Sequence, residues 1–303
     1  MAVSETVAVA PRVRRETTLA LAAALVTVFL WASAFVGIRS AGKSLSPGAL
    51  ALGRLVVAAL ALLVIAALRK ELAPRREDLR AVAPALVATS LLWFAGYMIA
   101  LNAGERRVDA GTAAMLIGIG PILVAILAGL FLREGFPRSL VAGCAVAFVG
   151  VLVIGIATSN GGSTTAGVVL CVVAACSYAV AVIFQKSVIG RLTALQTTLF
   201  CCVIAAVACL PFAWQLIQQL ADASTGAIAW TVYLGVFPTA IGFTTWAFAL
   251  ARTDAGRLGA TTYLVPPISI LLGWLILSET PASLALVGGA LCLSGVAILR
   301  RGT

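Results

Sequence analysis

The stretch Pro121-Ile-Leu-Val-Ala-Ile-Leu-Ala-Gly-Leu-Phe-Leu-Arg-Glu134 joins a proline, a long apolar run and a single glutamate. The same arrangement returns 145 positions later as Pro266-Pro-Ile-Ser-Ile-Leu-Leu-Gly-Trp-Leu-Ile-Leu-Ser-Glu279. Further matches at this offset pair Asp109-Ala-Gly111 with Asp254-Ala-Gly256, Gly143 with Gly288, Ala145 with Ala290, and Gly150-Val151 with Gly295-Val296. Several matches at one constant offset indicate an internal duplication. The chain is therefore interpreted as two copies of one unit.

The composition indicates a membrane protein. Of the 303 residues, 62% are hydrophobic and 11% are charged, and the mean hydropathy is +1.10. A soluble domain carries about 25% charged residues. The net charge of +10 raises nucleic acid as an alternative partner, but the basic residues lie in short breaks between apolar runs, where anionic lipid headgroups would meet them. The expected partners are a lipid bilayer and a small-molecule substrate, and not nucleic acid.

Ten apolar runs have about the 20 residues that a helix needs to cross a bilayer. They span approximately 18–41, 47–68, 79–101, 110–132, 139–156, 167–185, 195–216, 226–250, 258–277 and 281–299. The polar segment 158–165 separates them into two groups of five. The pattern predicts an all-α integral membrane protein with ten transmembrane helices. Its units are a cytoplasmic tail at 1–17, a first repeat at 19–156 and a second repeat at 167–300.

The distribution of Lys and Arg predicts the orientation. With the N-terminus in the cytoplasm, sixteen basic residues fall in cytoplasmic segments and four in outer ones, while Arg54 lies inside the second run. We therefore expect a multi-pass protein of the cell (inner) membrane with both termini in the cytoplasm. Because each repeat has an odd number of helices, the second copy is inverted relative to the first. Inverted repeats of this kind are typical of alternating-access transporters.

The basic start of the chain raises a cleaved signal peptide as an alternative, because Ala32-Ser-Ala34 resembles a cleavage site. However, the apolar run continues past that site. Trp31 also pairs with Tyr178 at an offset of 147, and Arg39 pairs with Lys186 at the same offset. The first run is therefore interpreted as part of the duplicated fold.

Several of these features together resemble the EamA family of the drug/metabolite transporter superfamily. They are the Trp31-Ala-Ser-Ala-Phe35 start, Arg54 in the second run, the two proline–glutamate stretches, and the glycine-rich fifth and tenth runs. The resemblance extends over about residues 19–300. It implies ten helices, cytoplasmic termini, a central cavity between the halves, and export of amino acids, other metabolites or drugs. One departure is the segment 100–109, which is about four residues longer than its counterpart in the second copy.

The resemblance leads us to expect a membrane transporter that exports small metabolites, such as amino acids, by alternating access. Drug efflux, and exchange of nucleotide sugars or phosphate esters, remain as alternatives with the same fold. An exchanger of phosphate esters would need several cationic residues in its cavity, whereas only Arg54 is a candidate. Ten helices suffice for a monomeric pathway, and an oligomer is also compatible with the sequence.

Polar and aromatic side chains inside the runs are the candidates for a substrate cavity. Arg54 is costly in a bilayer unless it faces water, a ligand or the headgroups. It is therefore a candidate for a substrate carboxylate or phosphate, with an interfacial position as the alternative. Aromatic residues far from the interface are cavity candidates too, and helix packing is their alternative role. The full set of cavity candidates is Trp31, Ser33, Arg54, Trp93, Tyr97, Asn102, Tyr178, Gln185, Trp246 and Tyr263.

The duplicated stretch itself contributes prolines and glutamates. Pro121 and Pro266 lie about ten residues into their runs, where proline removes a helical hydrogen bond and permits a hinge or a static bend. Glu134 and Glu279 lie between the last two helices of each repeat. A coupling or gating role is one interpretation. The preferred one is structural: each carboxylate accepts free N–H groups at the start of the following helix.

The chain offers little for catalysis. It contains no histidine, and its seven cysteines lie in apolar runs without a Cys-x-x-Cys pair. We therefore expect no catalytic residues, no metal site and no cofactor, and we do not expect an enzyme. The eleven acidic residues fall in loops, the tail or helix ends. Facilitated diffusion or exchange is accordingly predicted, rather than proton coupling through a buried acid.

Overall fold

The fold is built from apolar helices. The computed structural model describes residues 4–108, 113, 116–158, 164–277 and 283–301, and these ranges are helical or irregular without a β-strand. Within them, seven helices are long and apolar enough to cross a membrane. The bent pair Ala194–Ala208 and Leu210–Ala221 makes an eighth crossing if it counts as one span, and Gly120–Phe131 and Ser283–Leu299 are shorter apolar helices. The prediction of an all-α membrane protein is confirmed at this level.

In the first half, the described helices are α1 (Ser4–Ala41), α2 (Pro47–Leu68), α3 (Arg76–Thr89), α4 (Met98–Gly104), α5 (Gly120–Phe131) and α6 (Arg138–Thr158). A π-helical segment, Ser90–Tyr97, joins α3 to α4 without a break in the span.

In the second half, the helices are α7 (Thr165–Val188), α8 (Ala194–Ala208), α9 (Ala213–Ala221), α10 (Thr225–Leu234), α11 (Gly242–Leu250), α12 (Ala255–Thr261), α13 (Val265–Leu277) and α14 (Ser283–Arg301). The π-helical segment Gly235–Ile241 joins α10 to α11. The 3-10 turns Leu210–Phe212 and Thr262–Leu264 join α8 to α9 and α12 to α13.

One apolar run that was expected to form a single helix is bent. Pro211 lies in the 3-10 turn between α8 and α9, and the two helices meet there at 56°. Proline has no backbone N–H and its ring clashes with the preceding turn, so the helix cannot continue straight through it. The predicted run 195–216 is therefore divided between α8 and α9.

The two halves interleave. Helix α1 packs against α10, α11 and α13 of the second half, and α2 packs against α8. On α2, Leu55, Ala58 and Leu62 are buried, whereas Leu60 and Val64 are exposed. This helical periodicity separates a face for the other helices from a face for lipid.

Helices α6 and α14, the last described helices of the two halves, pack against each other through glycines. A Cβ atom added at Gly150 would lie 2.6 Å from the Gly288 carbonyl oxygen, and one added at Gly295 would lie 2.6 Å from the Gly143 carbonyl oxygen. Only residues without a side chain permit so close an approach of two helix backbones. The contacts pair Gly150 with Gly288 and Gly143 with Gly295, so each glycine of the repeat packs against the other glycine of the opposite copy and not against its own counterpart.

The π-helical segments also occupy matching places. Each follows the first part of a long span, Ser90–Tyr97 in the first half and Gly235–Ile241 in the second. An extra residue in a helical turn rotates the side chains that follow it. Phe94 and Phe243 thereby pack ring to ring, with centroids 4.3 Å apart, so the two halves contact each other at this level.

Candidate substrate site

Aromatic side chains from both halves converge on one another. The ring of Trp31 on α1 lies 5.8 Å from Trp93 and 5.1 Å from Trp246, measured between centroids. Tyr178 on α7 lies 5.1 Å from Trp93, and Tyr97 lies 6.2 Å from Tyr178. These separations are typical of edge and tilted aromatic packing. The aromatic cluster, as we name it, consists of Trp31, Trp93, Phe94, Tyr97, Tyr178, Phe243 and Trp246.

The aromatic cluster has a closed and an open side. Trp93 and Trp246 are 1% and 0% exposed, and both belong to spans that contain a π-helical segment. Trp31 and Tyr97 are only partly buried. The cluster therefore keeps accessible aromatic surface on the side of these two residues.

Gln185 places a buried amide beside the aromatic cluster. Trp246 Nε1 donates a hydrogen bond to Gln185 Oε1 at 3.1 Å, while Gln185 Nε2 is buried without a hydrogen-bond partner among the described residues. Trp31 Nε1 donates to the carbonyl of Pro238 at 3.3 Å. A buried donor left unpaired costs about 1–3 kcal/mol. An acceptor group on a ligand would offset this cost.

Arg54 extends from α2 to the second half. Its side chain is 5% exposed, so it lies among helices rather than on the lipid-facing surface. Its Nε donates to Thr239 Oγ1 at 3.0 Å, and Thr239 Oγ1 donates to the Leu234 carbonyl at 2.7 Å. Within the described ranges Arg54 makes no other side-chain hydrogen bond. Its two terminal nitrogens are therefore available for a bidentate bond to a carboxylate.

Asn102 holds α4 against the helix that carries Arg54. Its Nδ2 donates to the carbonyl of Pro47, the first residue of α2, at 3.2 Å. Its Oδ1 is buried and has no hydrogen-bond partner in the described part of the chain. The amide thus couples the position of α4 to that of α2 and leaves one acceptor unused.

Two predicted cavity residues lie apart from the aromatic cluster. Ser33 Oγ donates to the Leu30 carbonyl at 2.7 Å and shares a 2.7 Å hydrogen bond with the Tyr233 hydroxyl. Tyr263 is buried in a separate apolar cluster with Cys144 of α6 and Cys292 of α14. In the structure, both side chains make contacts between helices.

Glu134 caps a helix, but not the one expected. Its carboxylate accepts hydrogen bonds from Ala255 N at 2.7 Å and Gly256 N at 3.0 Å. These are the first two residues of α12, in the second half, whereas the sequence suggested the next helix along the chain. Arg133 takes a left-handed backbone conformation with φ of 57°, which ends α5 and redirects the chain at Glu134. Glu279 lies outside the described residues.

The two prolines begin helices in the structure. Pro121 lies in the first turn of α5, after the turn at residues 118–119. Pro266 lies in the first turn of α13, directly after the 3-10 turn Thr262–Leu264. A proline in the first turn removes no helical hydrogen bond. The break in each span therefore precedes the proline, instead of arising from a bond missing in the middle of a helix.

Sequence reasoning missed three residues of this region: Thr239, Phe243 and Glu105. Thr239 and Phe243 look like ordinary members of an apolar run, and no sequence signal separates them from their neighbours. Glu105 follows α4 directly, and its Oε1 is buried without a hydrogen-bond partner among the described residues. The available signal was the segment 100–109, which is longer than its counterpart in the second half.

Comparison with known proteins identifies the family and the fold of the chain. The model of the EamA-like transporter family matches the chain twice, at residues 18–156 and 165–301. A crystal structure of a protein with 19% identical sequence superposes with a TM-score of 0.75 and covers 93% of this chain and 98% of that one. At that identity the likeness concerns the fold.

Relatives at higher identity carry the names of transporters or exporters. A "Probable terminal-alkyne amino-acid exporter" of Streptantibioticus cattleyicolor is 37% identical over 281 residues, 93% of each chain. An "Uncharacterized transporter YdfC" of Bacillus subtilis is 32% identical, over 88% of this chain and 86% of the relative. A "Probable amino-acid metabolite efflux pump" of Salmonella typhimurium is 26% identical, over 63% of this chain and 67% of the relative. The chain is a membrane transporter that belongs to the EamA-like family.

Proposed function

We propose that this transporter exports amino acids by alternating access, and that its substrate site is formed by the aromatic cluster together with Arg54 and Gln185. One observation carries the proposal: both halves contribute to this site. Arg54 of the first half binds Thr239 of the second, and the aromatic rings come from α1, the first π-helical segment, α7 and α11. A site shared by two repeats changes shape when the repeats move relative to each other.

The chemistry of the site suits an amino acid. A guanidinium group with two free nitrogens binds a carboxylate bidentately. Aromatic rings offer an apolar surface for the substrate side chain, and the unpaired Nε2 of Gln185 offers a hydrogen-bond donor. The names of the relatives from S. cattleyicolor and S. typhimurium, both described as amino-acid or amino-acid metabolite exporters, support the same substrate class.

The topology that we propose has ten transmembrane helices in two inverted repeats, at 19–156 and 167–300. The seven long spans, the bent α8–α9 pair and the shorter helices α5 and α14 supply these crossings. The sixteen-to-four distribution of basic residues supports cytoplasmic termini and a place in the inner membrane. One chain contains both halves of the site, so a monomer suffices and no catalytic group is required.

The alternatives differ in their electrostatic requirements. A phosphate ester or nucleotide sugar carries several negative charges and needs several cations, whereas Arg54 is the one cation that the described residues contribute to the proposed site. A drug with an apolar or cationic body needs no guanidinium at all. Dependence on Arg54 therefore separates amino-acid export from drug efflux.

Efflux from cells tests the proposal. Cells expressing the wild type, Arg54→Ala or Arg54→Lys are loaded with labelled amino acids, including L-propargylglycine, which carries a terminal alkyne. We expect the wild type to release at least one of them and both variants to slow release about tenfold, because one bidentate charge-assisted bond is lost. The exposed Arg80 on α3, changed to Ala, is the matched control. Release of no amino acid, or release unaffected by Arg54, would contradict the proposal.

A further inference from the structure

A second charged group lies near Arg54. Glu105 directly follows α4, outside the membrane-spanning segment Arg76–Gly104. The residue is half-buried, and its Oε1 atom is fully buried without a hydrogen-bond partner in the described part of the chain. A buried carboxylate oxygen needs a donor. Glu105 is not among the residues of the proposed substrate site, so its unpaired oxygen is free to serve a further ligand group.

The position of Glu105 is set by close packing on two sides. A Cβ atom added at the preceding residue, Gly104, would lie 2.7 Å from the sulfur of Cys171 on α7. On the other side, Asn102 binds the carbonyl of Pro47 at the start of α2. Helix α4 is therefore packed between α7 and α2, and its end is held beside the start of α2, the helix that carries Arg54.

Charged and titratable groups face Glu105 from each of these elements. Arg39 of α1 and Arg54 of α2 act on it electrostatically. Tyr97 and the Cys171 thiol of α7 interact with it as well. On its own turn, Arg106 and Arg107 are exposed, and Arg107 Nη1 donates to the Ala103 carbonyl at 2.9 Å. Arg39 and Arg54 stabilise the ionised carboxylate of Glu105, whereas burial opposes its ionisation.

Burial prevails in this balance. It raises the pKa of the Glu105 carboxyl to about 7, against the opposing effects of Arg39 and then Arg54. Near neutral pH the group therefore exists in both protonation states. A carboxyl of this kind exchanges a proton in the physiological range, which an ordinary surface glutamate does not.

We propose that Arg54 and Glu105 together bind the zwitterionic head of an amino acid, so that a proton and the substrate ammonium group compete for Glu105. This inference rests on the proposed amino-acid export. Arg54 takes the substrate carboxylate, and the unpartnered Oε1 of Glu105 accepts an N–H from the substrate ammonium. When the substrate arrives at protonated Glu105, the carboxyl O–H bond breaks and the proton passes to water. Binding thus releases one proton, and protonation expels the substrate.

Competition of this kind makes the transporter an exchanger of protons for amino acids. A transporter that binds either a proton or a substrate couples the outward movement of one to the inward movement of the other. The inference departs from the expectation of facilitated diffusion, which rested on the absence of an acid inside the apolar runs. Glu105 lies four residues beyond the predicted run 79–101 and one residue beyond the span that ends at Gly104. It comes near Arg54 because α4 is packed between α2 and α7.

Binding measurements on the purified full-length protein test this inference. The probes are L-propargylglycine, its N-acetyl derivative, which lacks the ammonium group, and but-3-yn-1-amine, which lacks the carboxylate. In the wild type we expect the affinity for the amino acid to fall, as pH drops below about 7, by up to about tenfold per pH unit. Glu105→Gln should weaken binding about tenfold at about pH 8 and abolish the pH dependence.

The two analogues separate the two charges. Binding of but-3-yn-1-amine should depend on Glu105 and not on Arg54, whereas binding of the N-acetyl derivative should depend on Arg54 and not on Glu105. Glu105→Asp keeps the carboxyl and should restore the pH dependence. Glu77→Gln, at an exposed position on α3, is the matched control and should behave as the wild type. Binding of the amino acid to Glu105→Gln with wild-type affinity and pH dependence would overturn the inference.

A difference infrared titration examines Glu105 without any substrate. We expect the carboxylic-acid C=O band to appear as pH falls through about 7 in the wild type and to be missing in Glu105→Gln. Absence of this band from the wild type near pH 7 overturns the proton site itself. If the band titrates as expected but no probe binds at any pH, the proposed substrate class and the competition both fail, while the proton site remains. The two failures are therefore distinguishable.

Discussion

Glu134 Oε1 accepts a hydrogen bond from the backbone N–H of Ala255 at 2.7 Å, across the boundary between the two halves of the transporter. The second carboxylate oxygen accepts from Gly256 at 3.0 Å. The partners lie 121 and 122 positions apart in the sequence, yet the geometry is that of a helix N-cap. The free N–H groups at the start of α12 carry partial positive charge, which favours a carboxylate there. A residue at the end of α5 therefore stabilises a helix of the other half.

The cap predicts a loss of stability when the carboxylate is removed. Glu134→Ala should lower the free energy of unfolding by about 1–3 kcal/mol, since two buried N–H groups lose their acceptors. Glu134→Gln should cost less, because the amide retains one acceptor oxygen. Thermal unfolding in detergent provides the measurement, and Glu77→Gln serves as the exposed control. Melting of Glu134→Ala at the wild-type temperature would show that the cap contributes nothing.

The bond between Trp246 and Gln185 predicts coupling between their substitutions. Trp246→Phe removes the donor and Gln185→Leu removes the acceptor, and each should cost about 1–3 kcal/mol by leaving a buried polar group unpaired. The double variant should cost at least about 1 kcal/mol less than the sum. A double-mutant cycle of unfolding free energies measures the difference. Strict additivity would mean that the two side chains do not interact in the folded protein.

The hydrogen bond between Arg54 and Thr239 predicts that a double variant can recover stability without recovering transport. Thr239→Val should destabilise the protein by about 1–3 kcal/mol, because the buried guanidinium Nε loses its acceptor. The double variant Arg54→Met/Thr239→Val should recover most of that stability, since an apolar pair replaces a polar one. It should nevertheless fail to export the amino acid. Recovered export in the double variant would contradict the role proposed for Arg54.

The contact between α6 and α14 predicts unequal tolerance of glycine substitutions. Gly150→Ala would place a methyl group 2.6 Å from the Gly288 carbonyl oxygen, so the two helices must separate. We expect a lower melting temperature and less monodisperse protein on size-exclusion chromatography. Gly226→Ala is the matched control, because its added Cβ would meet only Ser224 Oγ, at 3.9 Å. Equal effects of the two substitutions would rule out a special requirement for glycine at position 150.

Glu105 predicts a pH-dependent difference in stability. Folding raises the pKa of this carboxyl from 4.5 to about 7 by burial, so ionisation opposes the folded state. The wild type should therefore lose stability relative to Glu105→Gln as pH rises from about 4.5 towards 7, with no further change above that range. Melting curves of both proteins across this range provide the test. A constant difference would indicate that Glu105 titrates normally in the folded protein.

Much of the site was predictable because its residues are costly in a bilayer. Arg54, Gln185 and Trp31 stood out as polar or aromatic groups inside apolar runs. In the structure, Arg54 and Trp31 each donate a hydrogen bond to the second half, and Gln185 accepts one from Trp246 of the aromatic cluster. Thr239 and Phe243 did not stand out, because hydroxyl and aromatic residues also pack ordinary helices. Their place in the candidate site depends on the π-helical segment Gly235–Ile241, because an extra residue in a helical turn changes the side of the span that the neighbouring side chains occupy.

The structure also altered the interpretation of the duplicated stretch. A carboxylate next to a turn was expected to cap the adjacent helix, since short sequence distance favours local contacts. Glu134 instead caps α12, because α5 and α12 pack together and Arg133 redirects the chain at the end of α5. The prolines likewise lie in the first turn of a helix, after a turn, and not in the middle of a helix. Composition does not distinguish these two cases, because they differ only in where the backbone hydrogen bonds of the helix begin.

The sequence by itself determined the class of the protein, its duplication and its family. The bilayer requires long apolar helices, which composition reveals. A duplication at a constant offset is visible when the sequence is aligned with itself. Only the tertiary structure decided which helix Glu134 caps, which aromatic rings meet, and that Glu105 lies near Arg54. These relationships join residues that are far apart in the chain, so they depend on how the two halves interleave. Hydropathy indicates which segments lie in the membrane, but it does not indicate which helices pack against each other.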